Sequence, residues 1–199
     1  NLFNISWQKN GKIARLVLPQ ALTGVEANII VLLGSTFPTG SHKVGPAYSI
    51  IMEDIIDGHI DVNTNILVSP STGNFGIGAA YIAKLLGIPI IVIMPENMSQ
   101  ERFNSIKKYG GQLKLVPVSD TPALSMKITA QAMLKNPIYF ELAQFERFAN
   151  YRFHRHVTGN SIVDAVKDVG NGRIALFAVA PGSAGTMAAG DQLKAKFSE

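Results

Sequence analysis

The sequence predicts an α/β fold, three layers in αβα order with a parallel sheet covered by helices on both faces. Short runs rich in Ile, Leu and Val, bounded by Gly and Pro, recur along the chain, and helix-patterned stretches separate them. Several of these runs are apolar throughout rather than alternating, which is the pattern of strands covered on both faces. Residues 88–94, Ile-Pro-Ile-Ile-Val-Ile-Met, are the clearest example.

Residues 12–18 and 27–33 read as short strands. Pro46 suits the first turn of a helix that runs to about residue 57 and stops at Gly58. A regular alternation follows: strand 65–69, helix 75–86 closed by Gly87, strand 88–94, helix 99–109 closed by Gly110, strand 112–118, helix 122–135 and strand 138–142. The aromatic and basic segment 144–156 breaks this rhythm and is expected to be irregular. Helix 158–169, strand 174–180 and helix 185–196 complete the chain, which stops just after a strand–turn–helix unit. Since a parallel sheet gains little from ending there, and the first residue is not Met, the sequence is expected to be part of a longer chain that continues past Glu199.

The 199 residues, 47% hydrophobic and 16% charged, exclude a disordered chain. No apolar run approaches the ~20 residues needed to span a bilayer, and the start lacks the basic-then-apolar pattern of a signal peptide; no membrane association is expected. With Cys 0, disulfides and thiolate metal sites are excluded and an intracellular, cytoplasmic setting is expected. The four His residues are dispersed without an H-x-x-x-H pair, so no zinc site is expected. The excess of 18 Lys+Arg over 14 Asp+Glu is small and scattered, which fits small anionic molecules rather than nucleic acid.

Three segments carry chemistry. Lys43 stands between Gly40 and Gly45, after the apolar run 29–33 and before the apolar segment 47–56. A lysine held in such a turn can form a Schiff base where its surroundings disfavour the ammonium form. The loop Ser69-Pro-Ser-Thr-Gly-Asn-Phe-Gly-Ile-Gly78 joins a strand to a helix, and its small residues let backbone N–H groups and Ser71, Thr72 and Asn74 converge on an anion. Pro181-Gly-Ser-Ala-Gly-Thr-Met187 repeats the device at the last strand–helix junction, with Ser183 and Thr186 as further donors. Two such loops suit a ligand with two anionic groups, and ordinary βα turns remain the plain alternative for each. A nucleotide-binding α/β oxidoreductase is the competing function. Against it, Gly73-x-x-Gly76-x-Gly78 is the wrong order for G-x-G-x-x-G, and no Walker-type Gly-Lys-Ser/Thr is present.

Together these segments resemble the fold-type II pyridoxal-phosphate enzymes of the tryptophan synthase β superfamily, most of all the cysteine synthase and cystathionine β-synthase group. Phe37-Pro-Thr-Gly-Ser-His-Lys43 is similar to the family's N-P-T-G-S-x-K, and Ser71-Thr-Gly-Asn-Phe-Gly76 to its T-S-G-N-T-G. Met94-Pro-Glu-Asn-Met-Ser-Gln-Glu-Arg102 follows its M-P-x-x-M-S-x-E-R. Gln144-Phe145, Asn150, His154 and Thr158-Gly159 follow a Gln-Phe…Asn…His…Thr-Gly stretch, and Gly182-Ser-Ala-Gly-Thr186 its G-T-G-G-T loop.

The resemblance implies pyridoxal 5'-phosphate as cofactor, held as a Schiff base by Lys43, which would also move the Cα proton. It implies Asn74 at the cofactor ring hydroxyl, Ser71, Thr72, Gly73, Asn74 and Gln144 around the substrate carboxylate, and Gly182, Ser183, Ala184, Gly185 and Thr186 around the phosphate. The implied reaction is β-elimination and β-replacement on a serine-type amino acid, such as O-acetylserine with sulfide or a thiol, by a homodimer. The implied lobes are residues 1–46 with 150–199, the larger and incomplete phosphate-binding one, and residues 47–149, the smaller mobile one bearing the carboxylate loop. Val44-Gly45 in place of Asp-Arg, Phe75 in place of Thr, and Arg147-Phe148 in place of Asn-Pro mark a divergent branch. A catalytically silent homologue acting as a partner subunit is therefore a third reading. His42 either sits against the phosphate or fills the turn, and Arg102 is expected at the surface or at an interface.

Overall fold

The computed structural model describes residues 5–197. In chain order the elements are β1 (Gln8–Lys9), β2 (Lys12–Ile13), β3 (Arg15–Leu18), α1 (Gln20–Thr23), β4 (Ile29–Leu32), α2 (Val44–Ile56), β5 (Ile66–Pro70), α3 (Asn74–Leu86), β6 (Ile90–Pro95) and α4 (Gln100–Lys108). They continue with β7 (Gln112–Val116), α5 (Pro122–Met133), β8 (Tyr139–Glu141), α6 (Phe148–Phe153), a π-helical turn (His154–Thr158), α7 (Gly159–Val166), a 3₁₀ turn (Gly185–Met187) and α8 (Ala188–Phe197). Two compact units result: residues 43–149, and the residues up to 42 together with those from 150 onward.

In the unit of residues 43–149 four strands form a parallel sheet in the order β7-β6-β5-β8. Its apolar runs are covered on both faces, as their composition requires. On one face Val68, Ile93 and Val116 pack on Met126 and Ala130 of α5. On the other, Val92 lies under Gly76 of α3, where an added Cβ would come within 2.8 Å of its methyl. Helices on opposite faces make three layers. Each fully buried aliphatic side chain here contributes roughly 1.5–3 kcal/mol of transfer free energy. α3 ends at Gly87, whose φ of 72° is open to a residue without Cβ.

Parallel pairing sets where the loops fall. Val68 of β5 stands opposite Glu141 of β8, so the segments following both strands leave from the same carboxyl edge of the sheet. Ligands of open α/β sheets bind at that edge. α2 and α3 are joined by a second close approach. A Cβ on Gly78 would lie 2.7 Å from Val44 Cα and 3.2 Å from the Lys43 carbonyl oxygen, so only glycine lets α3 rest on the start of α2.

The other unit holds two antiparallel ladders, β1 with β2 and β3 with β4, together with α7 and α8. Arg15 ties β3 to Asp168 at 2.7 Å, and Trp7 Nε1 donates to Thr158 Oγ1 at 2.9 Å.

Three expectations from sequence are corrected. Strand 12–18 is broken at Ala14, whose N–H donates to the Trp7 carbonyl at 2.9 Å. Segment 144–156, expected to be irregular, is largely helical: tertiary hydrogen bonds from Asn150 to Ser183 and from Tyr151 to Asp191 hold α6 in place. Segment 174–180 forms no strand. A strand needs a neighbour for its N–H and C=O groups, and among the described residues β3 and β4 pair only with each other.

Gly78→Ala is expected to destabilise the fold by about 1–3 kcal/mol, the usual cost of overpacking. Urea unfolding would show it as a lower midpoint at unchanged slope.

Candidate active site

Lys43 immediately precedes α2 as its N-cap residue. Burial of its side chain pushes the ammonium below the usual lysine value, because desolvation penalises the charged form. A cation at a helix N-terminus is also opposed by the helix dipole. Burial is the leading cause of the shift. Val44 is fully buried, so the departure from the family's Asp at that position is absorbed by packing against α3.

The loop before α3 is tied by Ser71. Its Oγ accepts from the N–H of Gly76 at 3.0 Å and more weakly from Gly73 at 3.4 Å. Ser71 and Phe75 are buried, whereas the Thr72 and Asn74 side chains are exposed. Among the described residues the backbone N–H groups of Thr72, Asn74 and Phe75 meet no acceptor. The loop thus presents free donors at the positive end of α3, with Ser71 bracing it from inside. Phe75 points into the core and leaves the loop without the hydroxyl that a Thr would add. Arg102, expected at the surface, has its Nε 3.9 Å from where a Cβ on Gly73 would stand. Its Nη1 donates to the Met98 sulfur at 3.3 Å, a weak acceptor.

Gln144 lies in a turn that follows β8. Leu142 N–H donates to the Val68 carbonyl at 2.8 Å, and the N–H groups of Glu146 and Arg147 both donate to the Ala143 carbonyl. Because β8 and β5 are neighbours, this turn and the Ser71 loop share the carboxyl edge of the sheet. Glu141, at the end of β8, is half-buried, and desolvation first, then Glu146, raises its carboxyl above the usual range.

In the other unit, the loop 182–186 leads into α8. Asn150 Nδ2 donates to Ser183 Oγ at 2.9 Å, and a Cβ on Gly185 would collide with the Asn150 amide. Asn150 therefore supports this loop from below, a role that its place in the sequence motif does not announce. Ala184 stands where the family has glycine and adopts a left-handed φ of 60°, which costs about 1 kcal/mol for a residue with Cβ. The N–H groups of Ala184, Gly185 and Thr186 meet no acceptor among the described residues. His42 packs within its own unit: its ring stacks on Trp7 at 5.6 Å and meets His154 edge-on at 5.5 Å.

These features fit pyridoxal phosphate on chemical grounds. An aldehyde needs an amine biased towards its neutral form, which Lys43 has; the anionic groups of cofactor and substrate need unclaimed donors, which both loops have. Among the described residues no cluster of three or more metal-binding side chains occurs, and no helix is long and apolar enough to cross a membrane.

Comparison with known proteins agrees with the motifs. The family model described as "Pyridoxal-phosphate dependent enzyme" matches residues 13–191. A probable cysteine synthase of Bacillus subtilis (strain 168) is 32% identical over 161 residues, covering 80% of this chain and 51% of its own. Among solved structures, a hydrogen sulfide-producing enzyme from Fusobacterium nucleatum superposes with a TM-score of 0.78 at 29% identity, over 86% of this chain and 51% of its own. O-Acetyl serine sulfhydrylase isoform 3 from Entamoeba histolytica gives 0.76 at 29% identity, over 86% and 50%. The chain spans about half the length of the curated relatives it matches. With a family model covering most of its residues, a parallel αβα fold to match and a desolvated lysine at the motif position, the chain belongs to the pyridoxal-phosphate dependent enzymes.

Proposed function

We propose that the protein carries pyridoxal phosphate on Lys43 and performs β-elimination and β-replacement on a serine-type amino acid, with O-acetylserine or a related donor and sulfide or a thiol as the nucleophile. The observation that carries this reading is the desolvated Lys43 at the start of α2, its backbone held against α3 at Gly78. When bound, the cofactor supplies an electron sink for the pair left at the substrate's Cα.

The chain's own residues divide the remaining work. Neutral Lys43 serves as the nucleophile that attaches the cofactor and as the base that takes and returns the Cα proton. Thr72 and Asn74, with the free N–H groups of the Ser71–Gly76 loop, bind the substrate carboxylate, and Gln144 meets it from the neighbouring turn. Ser71 and Gly73 shape that loop from within, and Asn74 also reaches the ring hydroxyl. Gly182, Ser183, Ala184, Gly185 and Thr186 hold the phosphate through backbone donors and hydroxyls, the assignment that the family motif supports. The same reading extends to a homodimer in the cytoplasm, with a small amino acid as substrate.

The native-length protein incubated with pyridoxal phosphate is expected to turn yellow, and borohydride to fix the cofactor on the peptide containing Lys43. Lys43→Ala is expected to abolish the chromophore and leave the far-ultraviolet circular dichroism unchanged. A protein that stays colourless overturns the proposal, as does one that takes up a nicotinamide dinucleotide instead. Colour without turnover of O-acetylserine and sulfide identifies a silent homologue.

A second expectation concerns protons. Since burial lowers the Lys43 pKa, the folded chain binds fewer protons there than the unfolded chain between the two values. Stability therefore rises with pH across that window, and the cost of the buried ammonium is fully present only below the folded-state pKa. In the cofactor-free protein, competitive labelling with an amine-reactive anhydride should show Lys43 titrating below the ordinary lysine value, and Lys43→Met should flatten the rise of unfolding free energy with pH. Titration of Lys43 at the ordinary lysine value would contradict the desolvated amine.

A further inference from the structure

Arg147 and Phe148 stand where the family has Asn-Pro, and Arg147 makes two contacts of different kinds. Its Nη1 lies 3.4 Å from Asp54 Oδ1, and its guanidinium lies 5.5 Å from the centre of the Phe140 ring in β8. Asp54 belongs to α2 and is buried; its Oδ1 also meets His59 Nδ1 at 3.1 Å. A buried carboxylate requires a cation or strong donors, so Arg147 is held where it is by the demands of Asp54.

The turn that carries Gln144 is thereby fixed at two points. At its start, the Leu142 N–H is bonded to Val68 of β5; within it, the N–H groups of Glu146 and Arg147 close on the Ala143 carbonyl. At its end, the Arg147 side chain is fastened to α2. That helix begins at Lys43, so one rigid element connects the reacting amine to the far end of the Gln144 turn. An arginine is suited to this position because its flat face can lie near an aromatic ring while its charge faces a carboxylate. Lysine could satisfy the charge but not the stacking.

We propose that Arg147 is a positioning residue: through Asp54 it holds the Gln144 turn at a fixed place relative to the helix of Lys43, and so sets how the substrate carboxylate is met. The inference rests on the assignment of Gln144 to the substrate carboxylate.

The test uses the native-length protein and L-alanine, which has the α-amine and α-carboxylate of the substrate but no leaving group on Cβ. Binding is read from the absorbance change of the bound cofactor, and hydrogen exchange of residues 143–147 is read separately in the cofactor-free protein. Arg147→Met is expected to weaken L-alanine roughly tenfold to a hundredfold, the range expected for a small misplacement of a binding group. Uptake of pyridoxal phosphate should stay as in the native protein. Exchange in 143–147 should quicken while that of β5 is unchanged. Asp54→Asn should reproduce both effects, and Arg147→Met combined with Asp54→Asn should be no worse than either alone, because residues acting as one link are not additive. Arg147→Lys, which keeps the charge against Asp54, should fold as the native protein and recover part of the affinity.

Native-like L-alanine binding in Arg147→Met, alongside weakened binding in Gln144→Ala, overturns the positioning role and leaves the carboxylate assignment standing. Simple addition of the Arg147 and Asp54 effects overturns it as well. Native-like binding in Gln144→Ala overturns the assignment of Gln144, and the proposal with it.

Discussion

The approach of α3 to the first residues of α2 is the constraint on which the rest of the residue 43–149 unit depends. Gly78 permits it, because any Cβ there would meet the Val44 backbone. Gly76 repeats the logic two residues earlier against Val92 and Ser71. The glycines of this segment therefore do more than shape a loop. They let a helix lie flat on the sheet and against its neighbour, and the same lack of side chains leaves N–H groups at the helix start open to a ligand. Packing and the proposed anion binding would be two results of one steric condition.

Electrostatics follow from that packing. Lys43 is placed where burial and the start of a helix both disfavour its ammonium form. A cation that is costly to hold is the same group that reacts readily as an amine. The loops at 71–76 and 182–186 have the opposite character: among the described residues the N–H groups of Thr72, Asn74 and Phe75, and of Ala184, Gly185 and Thr186, meet no acceptor. In both cases the proposed function draws on a small local cost in the folded chain, as Ala184 illustrates on a smaller scale with its left-handed backbone.

Much of this was legible in the sequence for physical reasons. The strands of the parallel sheet announce themselves because both faces are covered, which forces near-continuous Ile, Leu and Val in residues 88–94. Gly87 and Gly110 mark helix ends, since both take positive φ, 72° and 78°. Lys43 and the 71–76 loop stand out because residue types suited to Schiff-base and anion chemistry sit beside glycine. What escaped was set by distant partners. α6 and the π-helical turn are held by Ser183, Asp191 and Trp7, none of them close in sequence. The position of Arg102 beside Gly73 depends on where α4 lies against α3. Residues 174–180 carry strand composition, but a strand is a pairing and no single segment can specify its partner.

The boundary between the two compact units falls between His42 and Lys43. Two consecutive residues of one short motif thus answer to two different cores: His42 to the Trp7 and His154 rings, Lys43 to the α2–α3 contact at Gly78. Anyone redesigning this segment as a single cassette would be mixing two independent selection pressures. Libraries at His42 belong with Trp7 and His154, while those around Lys43 belong with Val44 and Gly78.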